Sequence, residues 1–261
     1  MSERRIVLDD GAQTTLEIWG ERGPVVLCVH GMTSSRRSWQ RLAKEFAATH
    51  RIAAYDQRGH GDSAGIEGPM SLERGVLDLQ NVHAALGEPV AAYVGHSWGG
   101  AVAIRAGLLS SVPRVAAVDP MIRQVEDSWY AEYLEELAES FASTGVERER
   151  LTREEYANWG ADDVEGKVHA VRTMTVAPIE GLRRENTPDD WDLRDEIARY
   201  DRPLLLALPD PENSINAGAT LDDVVIRRRN RVTIVTFPGH GHNLHRTDFD
   251  AFARELRRFL V

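Results

Sequence analysis

Residues 90–104, VAAYVGHSWGGAVAI, join an apolar run, a Gly-x-Ser-x-Gly motif centred on Ser97 and a run of small residues. The apolar part predicts a buried strand and the small residues predict a helix, so Ser97 occupies the tight turn between them. At such a turn the serine hydroxyl projects above the sheet, and the N-terminus of the following helix points at the same place. This stretch therefore predicts a nucleophilic serine on a fold of alternating strands and helices.

The segments on either side continue this alternation. Short apolar or alternating runs predict strands at residues 5–8, 14–19, 24–30, 51–56, 114–119, 203–208 and 232–237, and helical periodicity marks 39–48, 72–86, 221–229 and 248–260. Strands and helices in this order imply right-handed crossovers and a mostly parallel sheet covered on both faces. We therefore expect an α/β fold. Ligands in such folds bind at the carboxyl ends of the strands, where His30, Ser97 and Asp119 lie.

The alternation is interrupted between residues 121 and 200, which show helical patterns near residues 129–141, 153–159, 164–174 and 193–200 and no convincing strand. Such a length exceeds what a simple connection between two strands needs. We expect a core domain of residues 1–120 and 201–261, with residues 121–200 inserted as a helical cap. Pockets are lined by aromatic and apolar groups, so the candidates for a substrate pocket are His30 of the core with Trp129, Tyr133 and Trp159 of the cap.

Composition narrows the range of partners. The formal net charge of −10 argues against nucleic acid, because affinity for phosphate needs clustered Lys and Arg. Cys28 is the single cysteine, so an intramolecular disulfide is excluded. It lies in an apolar run and is expected to be buried. No segment approaches the ~20 apolar residues that span a bilayer, and no signal core follows the N-terminus. We expect a cytoplasmic monomer or homodimer that acts on a small molecule, without a membrane partner.

A serine hydroxyl needs a base beside it and hydrogen-bond donors for the oxyanion that forms on attack. Three histidines, His240, His242 and His245, follow the last predicted strand, and His242 is the preferred base by its place in that loop. Their spacing matches no familiar zinc signature, and no cysteine lies among them, so a metal site is disfavoured.

The candidate oxyanion donors and the candidate acids lie in the turns that follow other strands. The predicted donors are the backbone amides of Trp98, at the start of the helix after Ser97, and of Met32, in the turn after an earlier strand. An acid is needed to orient His242. Asp119 ends one strand and Asp210 follows the next, and either loop could bring a carboxylate to the histidine.

Four motifs, in this order along the chain, resemble those of the α/β-hydrolase superfamily: His30-Gly31-Met32, residues 56–63 (DQRGHGDS), residues 95–100 (GHSWGG) and residues 238–242 (PGHGH). The resemblance covers the chain outside the cap. It implies an eight-stranded, mostly parallel sheet, a helical cap after the sixth strand, and a Ser-His-acid triad that needs no cofactor. It does not imply a substrate, because this fold hosts many chemistries.

The resemblance also bears on the acid. In the superfamily the acid commonly follows the seventh strand, but residues 209–214, PDPENS, place Ser214 at that position. Members that resemble this chain in having Asn-Ser there carry the acid after the sixth strand, as an Asp closely followed by Pro. Asp119-Pro120 matches that variant, so the resemblance favours Asp119, with Asp210 as the alternative and Glu212 as the third candidate.

These features predict a serine hydrolase, of the carboxylesterase or lactonase type, that cleaves an ester or lactone of a small apolar substrate through an acyl-enzyme. Epoxide hydrolases and haloalkane dehalogenases resemble the superfamily but place Asp at the elbow, so Ser97 argues against both. A carbon–carbon bond hydrolase with the same triad and a non-catalytic ligand-binding member remain as alternatives. The acidic residues of the cap, Glu132, Glu135, Glu136 and Glu139, are typical of a solvated helix face; as an alternative, their field would disfavour anionic substrates.

Overall fold

The computed structural model describes residues 2–123, 135–136, 139, 141, 145–187, 191–216 and 218–261. The predicted pocket residues Trp129 and Tyr133 lie outside this part of the chain, as does most of the helix expected around residues 129–141.

Eight strands form one sheet in the order β1-β2-β4-β3-β5-β6-β7-β8. β2 runs antiparallel to β1 and β4, and the other neighbours are parallel. The strands are β1 Ser2–Val7, β2 Gln13–Trp19, β3 Val25–Val29, β4 Arg51–Tyr55, β5 Val90–His96, β6 Arg114–Val118, β7 Leu204–Pro209 and β8 Val232–Phe237. This arrangement confirms the predicted eight-stranded, mostly parallel α/β fold.

Helices fill the connections. The described helices of the sheet region are α1 Gln40–Phe46, after a short 3₁₀ turn at Arg36–Trp39, α2 Leu72–Leu86 and α3 Trp98–Leu108. Those between β6 and β7 are α4 Gly145–Glu155, α5 Ala161–Thr173, α6 Ala177–Glu185 and α7 Arg194–Arg199, and those after β7 are α8 Gly218–Arg227, α9 Leu244–Thr247 and α10 Phe249–Phe259. The sequence-based prediction missed α6, and it placed a helix at 153–159 where α4 ends.

The core lies on both faces of the sheet. One cluster packs α2 and α3 against it through residues such as Leu79 and Ile104, and the other packs α1 and α10 through Phe46 and Phe252. Cys28 is buried in β3, where burial raises the pKa of its thiol. In the part of the chain that the structure describes, every helix is too short or too polar to cross a membrane.

Trp191 and Gly166 lie at two of the places where the segment between β6 and β7 contacts the sheet region. Trp191 is fully buried, donates its indole N–H to the carbonyl of Met121 at 2.8 Å and packs its ring 4.9 Å from that of Trp98. On α5, a Cβ at Gly166 would lie 2.9 Å from the backbone of Ser38, so α5 approaches the 3₁₀ turn closely. These contacts position α4 and α5 over the end of the sheet that carries Ser97.

Candidate active site

Ser97 lies at the sharp turn between β5 and α3. Its φ of 55° and ψ of −122° place a non-glycine residue in a strained backbone region. The turn is too tight for side chains beside it, because a Cβ at Gly95 would lie 2.2 Å from the carbonyl oxygen of Gly99, and one at Gly99 would lie 2.3 Å from that of His30. The two glycines of the motif are thus required by close backbone packing, and they hold Ser97 at the cavity described below.

Asp119 follows β6 and is fully buried, with a φ of 34°. Its Oδ1 accepts hydrogen bonds from Ser214 Oγ at 2.6 Å and Asn216 Nδ2 at 3.4 Å. Its Oδ2 accepts from the backbone amide of Ile215 at 3.2 Å. A buried carboxylate needs such donors, and the loop after β7 supplies them.

The same Oδ2 of Asp119 lies 2.7 Å from Nδ1 of His242. A carboxylate can only accept, so Nδ1 carries the proton and Nε2 is left with a lone pair. His242 lines a cavity that Ser97 also lines. The structure therefore brings together the predicted nucleophile, the predicted base and one of the two candidate acids.

The alternative acid, Asp210, makes a different contact. Its Oδ2 accepts a hydrogen bond from the backbone amide of Gly239 at 2.7 Å, three residues before His242 in the chain. This bond ties the loop after β7 to the loop after β8. Asp210 thus positions backbone, whereas Asp119 contacts the imidazole.

The other two histidines of the loop have separate surroundings. His240 lies at the outside, with Nδ1 2.9 Å from the hydroxyl of Thr247. His245 is buried in α9, and its ring centroid is 4.3 Å from that of His96. Burial lowers the pKa of His96 and of His245 well below the usual value. Nearby charge lowers each pKa further, chiefly that of His245 for His96 and that of Arg246 for His245. Both imidazoles are therefore neutral.

His96 is a supporting residue that the sequence-based analysis did not single out, although it precedes Ser97 in the motif. Its Nε2 donates to the backbone carbonyl of His242 at 3.0 Å, and the two ring centroids lie 4.5 Å apart. His96 thereby links the end of β5 to the loop that carries the base.

The two predicted oxyanion donors also lie at this cavity, which Met32 and Trp98 line. Trp98 is the first residue of α3, where backbone amides have no partner inside the helix. Within the described residues, no protein acceptor takes the amide hydrogen of Trp98 or of Met32. Both amides are therefore available to a ligand.

The cavity has a volume of about 560 Å³, the size of a site for a small molecule. Ser97 and His242 line it from the sheet, and Tyr156 and Trp159 line it from the segment between β6 and β7. Trp159 thus lies where the pocket prediction placed it.

His30 requires a correction, because it does not line the cavity. It is 1% exposed and lies beneath the site, where its Nε2 accepts the backbone amide of Gln57 at 3.0 Å. Burial lowers its pKa to about 4. Its position at a strand end suggested the pocket, but the loop after β4 covers it.

Cationic residues at the cavity were missed by sequence reasoning. Lys167 of α5, Arg246 of α9 and Arg148 of α4 line it. Lys and Arg on charged helices ordinarily indicate a solvated face, so no sequence signal separates these three from the others.

One group of ligand-type side chains lies elsewhere among the described residues: Asp56, Asp62 and His169. The guanidinium of Arg36 pairs with both carboxylates, at 2.7 Å from Asp62. The charge of this group is therefore offset in part by the protein itself.

A sequence model of the alpha/beta hydrolase family matches residues 26–255. The chain therefore belongs to the alpha/beta hydrolase family. The non-heme haloperoxidase of Rhodococcus erythropolis is 24% identical over 276 aligned positions, which cover 98% of each chain. Epoxide hydrolase 4 of Mus musculus is 31% identical over 100 residues, which are 37% of this chain and only 28% of that relative.

A solved structure, the esterase RhEst1 of Rhodococcus sp. ECU1013, superimposes with a TM-score of 0.77 at 19% identity, covering 100% of this chain and 98% of its own. This likeness shows the shared fold. The names of these three proteins state different reactions. The comparisons therefore show the hydrolase family but not which type of bond this chain cleaves.

Proposed function

We propose that this chain is a serine hydrolase that cleaves a carboxylic ester or lactone of a small substrate through an acyl-enzyme. The observation that carries the proposal is the 2.7 Å contact between Asp119 and His242 beside a cavity that His242 and Ser97 share. A nucleophile, a base and an orienting carboxylate in this relation are what acyl transfer to water requires.

In the proposed mechanism, Ser97 Oγ attacks the substrate carbonyl while His242 Nε2 takes its proton. The amides of Met32 and Trp98 donate to the oxygen on which negative charge develops. The tetrahedral intermediate collapses, and the imidazolium gives its proton to the leaving alkoxide. Water then attacks the acyl-enzyme with His242 again as the base, and release of the acid restores Ser97.

The segment of residues 121–200 acts in this proposal as a cap over a core of residues 1–120 and 201–261. Support comes from Tyr156 and Trp159, which line the cavity opposite Ser97. The predicted pocket role of Trp129 and Tyr133 stays a prediction. The chain is proposed to act as a monomer or homodimer.

The test compares the wild-type chain with Ser97→Ala on p-nitrophenyl butyrate and γ-butyrolactone. We expect hydrolysis of at least one compound by the wild type and none above background by the variant, with unchanged circular dichroism. Equal hydrolysis by both proteins contradicts the proposal. Turnover of a vinylogous diketone without ester hydrolysis would favour the carbon–carbon alternative, and binding without turnover would favour a receptor.

A further inference from the structure

The turn after β3 connects the oxyanion site to two cationic side chains. Met32, Thr33 and Ser34 are consecutive, and all three line the cavity. Thr33 accepts hydrogen bonds from Lys167 Nζ through its carbonyl oxygen at 2.9 Å and its hydroxyl at 2.6 Å. Ser34 Oγ accepts from the guanidinium of Arg246 at 3.2 Å. Consecutive Cα atoms are about 3.8 Å apart, so both cations are anchored roughly 4–8 Å along the chain from Met32.

Arg246 is buried without a carboxylate among its direct hydrogen-bond partners. It is 5% exposed, and its guanidinium also donates to the amide oxygen of Asn243 at 3.1 Å. Its Nε has no acceptor in the described part of the chain. Asp163 attracts it electrostatically, but that carboxylate is paired with Arg41 at 3.1 Å.

Lys167 is half-buried and likewise bonded to neutral oxygens. Burial, with the nearby charge of Arg246, lowers the pKa of Lys167 to about 7. The charges of Lys167 and Arg246 are desolvated and repel each other, which raises the free energy of the empty site. An anion bound to both side chains would lower that free energy.

The remaining charges at the cavity do not fill this role. The guanidinium of Arg148 donates to the backbone carbonyls of Phe141, Val171 and Met174. The acidic lining residues are Glu136, Glu139 and Glu155, whose side chains are exposed to solvent. Glu155 raises the pKa of Lys167, so it attracts that ammonium, but solvent screens its charge. The buried part of the cavity is thus cationic and the exposed part acidic.

We propose that Lys167 and Arg246 form a subsite for a carboxylate of the substrate, so that the preferred substrates are esters or lactones that carry a free carboxylate a few atoms from the scissile carbonyl. This inference rests on the proposed hydrolase function. It replaces the expectation of an apolar substrate, because Glu135, Glu136 and Glu139 lie exposed while the two cations lie inside.

The kinetic test compares ethyl hydrogen glutarate with its neutral isostere, ethyl 5-amino-5-oxopentanoate, by following ethanol release. We expect kcat/KM to be at least tenfold higher for the anionic ester, and the ratio between the two esters to fall at least tenfold in Lys167→Met and in Arg246→Gln. Lys44→Met is the matched control, because Lys44 is the only other lysine and its exposed ammonium pairs with Asp162 at 2.7 Å, away from the cavity lining.

A merely structural role for Lys167 would lower kcat/KM for both esters equally and leave their ratio unchanged, which would overturn the proposal. So would equal kcat/KM values for the two esters in the wild type.

A binding experiment tests the carboxylate subsite separately from the proposed hydrolase function. Calorimetry on Ser97→Ala measures glutarate against glutaramide, and we expect glutarate to bind at least tenfold more tightly, with the preference lost in Ser97→Ala/Lys167→Met. Glutarate binding without ester hydrolysis by the wild type would refute the hydrolase and leave the subsite standing. Ester hydrolysis without preferred glutarate binding would refute the subsite alone.

Discussion

The position of Asp119 explains the loop that follows β7. Ser214 stands at the position where the superfamily resemblance locates the acid, and its hydroxyl donates to the carboxylate of Asp119 at 2.6 Å. Asn216 spans the same region, since its side chain donates to the carbonyl of Pro120 at 2.9 Å and accepts the amide of Ile122 at 2.9 Å. The loop therefore holds the carboxylate of Asp119, the proposed acid.

Replacing the orienting acid is expected to cost far more activity than replacing the backbone anchor. Asp119→Asn should lower kcat on p-nitrophenyl butyrate by about 10⁴, because the amide favours the wrong tautomer of His242. Asp210→Asn, which keeps an oxygen for the amide of Gly239, should stay within about tenfold of the wild type. The reverse order of the two kcat values would assign the acid to Asp210.

Motif and chain order predicted Ser97 as the nucleophile and His242 as the base. The same reasoning left Asp119 and Asp210 as candidate acids, and only the resemblance at Ser214 favoured Asp119. No sequence pattern indicated Lys167 or Arg246. Their role depends on burial beside a cavity, which is set by how α5 and α9 pack and not by local pattern.

At the scale of elements, the site depends on contact between the turn at Ser97 and the end of β3. Gly99, in the first turn of α3, lies against the carbonyl oxygens of Val29 and His30. The start of α3, and with it the amide of Trp98, is thereby held against the turn that contains Met32.

Gly99→Ala should therefore damage both stability and activity. The added methyl would lie 2.3 Å from the carbonyl oxygen of His30, and overpacking of this kind costs about 1–3 kcal/mol. Urea unfolding and ester hydrolysis measure the two effects. Gly218→Ala is the control, because a Cβ there meets nothing within 4 Å; a Gly99→Ala chain as stable and active as this control would contradict the account.

Elements with strong end signals were predicted closely. The bounds of α2 are those expected, since the Ser71 side chain accepts the amide of Arg74 at its start and Gly87 adopts a φ of 69° at its end. α4 was misplaced because it buries only Thr152 and so shows no apolar stripe. Its position follows from tertiary contacts, which sequence periodicity does not report.

At the scale of the whole molecule, Arg36 joins distant parts of the sheet. Its fully buried guanidinium pairs with Glu3 of β1 at 2.6 Å and Glu17 of β2 at 3.2 Å, and also with Asp56 and Asp62 in the loop after β4. One guanidinium thus pairs with four carboxylates and links β1, β2 and the loop after β4.

Arg36→Met should lower the free energy of unfolding by about 3–5 kcal/mol, because it leaves buried Asp56 without its counter-charge. Arg150→Met provides the comparison: Arg150 pairs with Glu147 and Glu154 on the surface of α4, where such pairs contribute about 0–1 kcal/mol. Denaturant titration of both variants measures the difference. Equal effects would show that the Arg36 network is not structural.

Buried histidines couple stability to pH. Burial lowers the pKa of His30 to about 4 and that of His60 to about 3, from about 6.5 in an unfolded chain. Between pH 6.5 and these lowered pKa values, the unfolded state binds more protons than the native state. The contribution of these histidines to the free energy of unfolding is therefore highest above about pH 6.5 and decreases as the pH falls towards 4 and 3. NMR should find both imidazoles neutral at pH 5.5 in the native protein; a titration midpoint near 6.5 would contradict this.

Covalent labelling tests whether Ser97 is the nucleophile. The wild-type chain is incubated with a neutral fluorophosphonate, and the modified peptide is sequenced by mass spectrometry. We expect a single adduct on Ser97, which is absent from Ser97→Ala and forms much more slowly in His242→Ala. Persistent labelling of Ser97→Ala, or an adduct on another residue of the wild type, would contradict it.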